Sequence, residues 1–73
     1  MLRRFNALEF IEKTKIRLDH WIHHSAHHKE EYEMLADQLE EAGHTESAGH
    51  LKEMIELTAR SIECLKKAIA ALD

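Results

Sequence analysis

The sequence predicts an all-α fold: an antiparallel hairpin of two helices with a long first helix, assembling with other copies into a bundle of four helices or more. Three observations carry that prediction. The 73 residues contain no proline, and the only two glycines, Gly43 and Gly49, bracket one obvious break. On either side of it, apolar positions recur at alternating steps of three and four, the period of helix packed on helix. The apolar surface this pattern creates is also broader than one partner helix covers.

The first helix is expected to span residues 7–42. Asn6 is a good N-cap, Glu9 three residues later completes a capping box, and Phe5 and Phe10 sit where a hydrophobic staple places them. One seam then runs through Ile11, Thr14, Leu18, Trp21, Ser25, His28, Tyr32, Leu35, Leu39 and Ala42, and Gly43 ends it as a C′ glycine. Nothing between Asn6 and Gly43 breaks a helix, so one long helix is read, with Asp19 the one position at which a new cap could kink it. Residues 43–49 read as the loop and 50–72 as the second helix, so that 1–73 form a single domain. The second helix carries the seam Leu51, Ile55, Thr58, Ile62, Leu65, Ile69 and Leu72. Beside it lies another: His50, Met54, Leu57, Ser61, Cys64 and Ala68. Two adjoining seams call for neighbours on two sides, as in a four-helix bundle.

Folding the chain back about the glycine loop sets Leu39 near Met54, Leu35 near Thr58, His28 near Leu65 and Trp21 near Leu72. On that register the second helix ends as the first reaches His20. The turns from Ala7 to Leu18, with Leu8, Phe10, Ile11, Ile16 and Leu18, then have no partner within the chain. Each large side chain left in water forgoes roughly 1.5–3 kcal/mol, and a second copy is the simplest cover. A chain this short gains only about 3–5 kcal/mol from one core and needs a staple. Cys64 is the only cysteine, which excludes an intrachain disulfide and leaves a metal ion or self-association.

The formal charge is −4, distributed unevenly. Arg3, Arg4, Lys13, Lys15 and Arg17 outnumber Glu9 and Glu12 in the first 17 residues, and the remainder is acidic. The basic end suits docking on an acidic surface, of another protein or of a second copy. Nucleic acid is not an expected partner, because no large basic face exists. No apolar run approaches membrane-spanning length, and Met1-Leu2-Arg3-Arg4 leads into an amphipathic pattern rather than a signal-peptide segment, so a soluble cytoplasmic protein is expected.

Function points to one stretch, Asp19 to His28, which holds five of the seven histidines. At about 100° per residue, His20, His24 and His27 share a helical stripe that Glu31 continues, while His28 turns toward the seam of Trp21, Ser25 and Tyr32. Imidazole is the commonest ligand for zinc, nickel, cobalt and copper, and two histidines four apart on a helix can chelate one ion. His20/His24, His24/His28 and His23/His27 all have that spacing, with Glu31 or a histidine of another copy as a third ligand. The competing reading of the outer stripe is a solvated polar face. For His28 it is a hydrogen-bonded core histidine that fixes register. His44 and His50 flank the loop roughly 20 Å away along the helix and cannot join the same site within one chain, and Cys64 on the second seam reads as a buried thiol.

An enzyme is not expected. A di-iron bundle needs inward glutamates and Glu-x-x-His pairs, and the one match, Glu41-x-x-His44, runs into the loop. Met34 and Met54 stand alone, and no nucleophile–base pairing or phosphate loop occurs.

The run Leu18-x-His20-Trp21-Ile22-x-His24-Ser25-x-x-His28-x-x-x-Tyr32, followed by a glycine turn and an amphipathic helix, resembles a small helical-hairpin domain of unknown function from bacteria and archaea. That domain's pattern reads roughly L-x-H-W-[IL]-x-H-N-x-x-H, and the likeness covers about residues 18 to 72. It marks His20, His24 and His28 rather than His23 or His27, and Ser25 stands where the pattern has asparagine. The resemblance implies no reaction. The expected function is binding of a transition metal ion (Zn, Ni, Co or Cu) for buffering, delivery or sensing, through His20, His24, His28, His27 and Glu31. The alternative is an oligomerisation or adaptor module whose histidines are polar core and surface residues.

Overall fold

A computed structural model describes residues 6–73. Two α-helices make up the fold, α1 over Ala7–Glu41 and α2 over Thr45–Ala70. Helix α1 begins where the cap predicts. Asn6 has extended backbone (φ −103°, ψ 105°) and its Oδ1 accepts the Glu9 N–H at 3.0 Å, satisfying one of the donors a helix start leaves unpaired. The Phe5 half of the staple and the Arg3–Arg4 pair lie outside the described residues. No break or second cap occurs at Asp19, and α1 is one continuous helix of 35 residues. At about 1.5 Å per residue it accounts for most of the molecule's 61 Å length.

The turn is tighter than the sequence suggests. Gly43 takes φ +88°, its N–H donates to the Glu40 carbonyl at 3.0 Å, and the His44 N–H donates to the Leu39 carbonyl at 2.8 Å. That pair of bonds is the Schellman closure, which satisfies two orphan carbonyls and reverses the chain within a few residues. Residues 45–49, expected as loop, are therefore the first turns of α2. Gly49 costs that helix about 1 kcal/mol of propensity, and Ala48 beside it is buried to 2% exposure. Burial against α1 outweighs the weak local preference of Thr45-Glu46-Ser47-Ala48-Gly49 for a loop.

An earlier start for α2 shifts the register by about a turn. Lys15 pairs with Asp73 and Lys52 with Glu40, while a shallow groove between them is lined by Ala26, Lys29 and Glu30 from α1 and Ala59, Ile62 and Glu63 from α2. The chain just past the end of α2 thus reaches Lys15 rather than stopping level with His20, and the unpartnered part of α1 shrinks to its first two turns.

The face that α1 turns toward α2 keeps most of the expected seam and extends to one side of it. Ile11, Thr14, Leu18, Ser25, His28, Tyr32 and Leu39 of that seam are drawn at least partly out of solvent, joined by Ile22, Ala26, Lys29 and Ala36, whereas Trp21 and Leu35, expected inside, remain 47% and 48% exposed. The buried side chains among the described residues are Ala36, Ala48 and Ile62. Two of the three are alanine, which lets the helix backbones approach closely while bulky Trp21 is displaced to the flank. On α2 the first seam, Leu51 to Leu72, faces α1 throughout. Most of the second seam does not: Leu57 is 50% exposed, and Ser61, Cys64 and Ala68 are open to solvent. Cys64 is therefore an exposed thiol and not the buried one expected, because α1 covers only one of the two seams.

A candidate metal centre on the first helix

All five predicted ligands lie on the unbroken part of α1, so helix geometry alone sets their spacing. Side chains four apart stand about 5–6 Å from each other at Cβ, and here they form a file of rings. His20 and His24 stack with centroids 6.1 Å apart and planes 16° from parallel. His28 and Tyr32 stack at 6.0 Å and 11°. Between these two stacks the geometry changes. His24 and His28 stand edge to face at 88° with centroids 4.3 Å apart, and their Nε2 atoms face each other at 2.9 Å.

Glu31 explains the turn of the His28 ring. Its Oε1 lies 2.9 Å from His28 Nδ1, and a carboxylate only accepts, so the Nδ1 carries the hydrogen and donates. That assignment leaves the lone pair of His28 on Nε2, where it accepts a hydrogen bond from the Nε2–H of His24 at 2.9 Å. A carboxylate that fixes the tautomer and ring orientation of a histidine whose far nitrogen points at an ion is a recurrent arrangement around protein-bound metals. Glu31 thus sits behind His28, where the sequence had it completing the His20/His24/His27 stripe.

The other candidates are less well placed. His27 Nε2 is 3.8 Å from the same Glu31 oxygen, and its ring centroid is 6.2 Å from that of His28. The parallel stack of His20 on His24 does not converge two nitrogens. His23 turns away to Asp19, with Nε2 3.5 Å from Oδ2; sequence reading had not singled out that pair, although its four-residue spacing was available. His28 lies at the margin of the helix interface, with its side chain 41% exposed. It is therefore not the buried core histidine that the sequence offered as the alternative to a ligand. Among the described residues, no three His, Cys, Asp or Glu side chains converge to hold one ion. The two candidate ligand nitrogens that one chain does bring together are those of His24 and His28.

Fold and site together define a class: small two-helix hairpins that display a histidine file on the longer helix. The chain belongs to a family known as a domain of unknown function (DUF8180), whose model matches residues 14–72. It is 39% identical over 59 residues to an uncharacterised protein of the archaeon Archaeoglobus fulgidus, covering 81% of this chain and 94% of that one. No solved structure matches it.

Proposed function

We propose that this protein binds a divalent transition metal ion through His24 and His28, to buffer, deliver or sense it. One observation carries the reading: two Nε2 atoms converge at 2.9 Å while Glu31 holds the far side of one ring. No catalytic role is proposed. The chain has no helix among its described residues long and apolar enough to cross a membrane, and its single exposed thiol suits a reducing compartment such as the cytoplasm.

Titration calorimetry of tag-free protein with Ni²⁺, Cu²⁺, Co²⁺ and Zn²⁺ tests this. The expected result is saturable micromolar or tighter binding, lost in both His24→Ala and His28→Ala and retained in His23→Ala. Millimolar binding indifferent to all three substitutions would overturn it. That outcome would favour the second reading, an oligomerisation or adaptor module, which the exposed apolar side chains Trp21, Leu35 and Leu57 support in their own right.

A further inference from the structure

The hairpin has two unlike faces. One carries the Lys15–Asp73 and Lys52–Glu40 pairs and the groove with Lys29, Glu30 and Glu63. On the other side, Trp21, His24, His28 and Leu35 fall within an arc of about 60° on α1, and Leu57 and Cys64 share a flank of α2. The handedness of two antiparallel helices puts both flanks on the same side, away from the groove. That face carries the histidine pair near its middle, with Trp21 and Leu35 on either side of it and exposed Arg17 a turn beyond Trp21. The paired length of α1 runs from Lys15, opposite Asp73, to the turn at Gly43, and His28 stands close to its midpoint.

Area indicates how much cover this surface requires. A compact monomer of 8.5 kDa exposes about 4,650 Å² by the usual mass scaling, whereas this chain exposes 6181 Å². The excess, about 1,500 Å², measures how far an elongated hairpin of 61 × 25 × 15 Å departs from a compact monomer, and it is of the order that each subunit of an obligate homodimer buries, roughly 1,000–2,500 Å². A second copy is the occupant that also completes the site. A two-fold axis lying in the contact plane, perpendicular to α1 and level with the pair, sets one His24/His28 pair against the other while still overlapping most of the two paired lengths. Each chain supplies two ligands, and two chains supply the four that a four-coordinate ion takes without outside help.

We infer that a second copy of the chain covers the face bearing Trp21, His24, His28, Leu35, Leu57 and Cys64, and that its own His24/His28 pair completes the coordination of one shared metal ion. The shared-ion half rests on the metal-binding reading above; the docking half does not.

Light scattering on size-exclusion eluates of the full chain at about 100 μM, in chelator and then with Ni²⁺, separates the two. The expected mass is twice 8.5 kDa or a multiple of that, with one nickel per two chains. Leu57→Glu places an unpaired charge on the α2 flank of the face, level with Leu35, and should weaken association on the order of 100-fold. Met34→Glu makes the same kind of change at an apolar position 65% exposed on the outer side of α1 and should leave the mass unchanged. A wild-type monomer at this concentration overturns the docking inference whether or not Leu57→Glu folds, and so does equal loss in both variants. A monomer that binds one nickel per chain overturns it while leaving the metal function standing. A dimer sensitive to Leu57→Glu that takes up no nickel sustains the face and removes the shared ion.

Discussion

Replacing each glycine in turn by alanine should move stability in opposite directions, and the structure sets both signs. Neither position is crowded, since a Cβ built at Gly43 or at Gly49 meets nothing within 4 Å. The effects are therefore those of backbone conformation alone. Gly43 holds φ +88°, a region in which an L-residue with a Cβ is strained by roughly 1–2 kcal/mol. Gly43→Ala should destabilise by about that amount per chain, with Gly43→Asn costing less because asparagine tolerates the left-handed region. Gly49 lies inside α2 with ordinary helical backbone, where alanine is favoured over glycine by about 0.8–1 kcal/mol. Gly49→Ala should stabilise by that much, so the two variants differ by about 2–3 kcal/mol. For a chain of this size, each kcal/mol moves the melting temperature by about 4–8 °C. Circular dichroism melts at one fixed chain concentration are the assay, because association makes Tm concentration-dependent. If Gly43→Ala melts with or above wild type, the Schellman turn is not what reverses the chain. If Gly49→Ala fails to stabilise, residues 45–49 are the loop that the sequence first suggests and the register shift is wrong.

Two further outcomes follow from the ends of α2 and its link to α1. His44 occupies the N-cap of α2 without making a side-chain capping bond, so His44→Asp should raise stability by about 1 kcal/mol, read as a higher urea midpoint. A hydrogen bond from Lys52 to Glu40, with the Glu40 charge next and Asp37 adding to it, holds the Lys52 pKa above its ordinary 10.5. A raised lysine pKa stabilises the fold below the unfolded value, and the contribution disappears as the pH climbs through the folded one. An NMR titration should show Lys52 deprotonating later in wild type than in Glu40→Gln, and identical titrations would remove Glu40 as the cause.

Much of the hairpin was legible because its signals are local. Asn6 caps α1 with the bond its side chain can make three residues on, and Gly43 closes it with the positive φ that glycine tolerates. The uninterrupted period from Ala7 to Glu41 requires nothing beyond the absence of helix breakers. At the site, spacing brought His24 and His28 into reach of each other. It could not tell that pair from His20/His24 or His23/His27, since all share the same offset. What separated them was ring rotation, set at His28 by Glu31 and at His23 by Asp19. An i,i+3 acid next to an i,i+4 histidine pair was the available signal.

The residues by themselves determined two helices, their hand-off at Gly43 and the crowding of histidine on one of them, since caps, glycine conformation and helical period act over a few residues. The register, the face of α1 that meets α2 and the exposure of Trp21, Leu35, Leu57 and Cys64 were decided by tertiary packing. The physical reason is that a period of three and four marks a broad apolar stripe without saying which edge of it packs first. Close approach through Ala36 and Ala48 selected one edge and left the bulkier one outside.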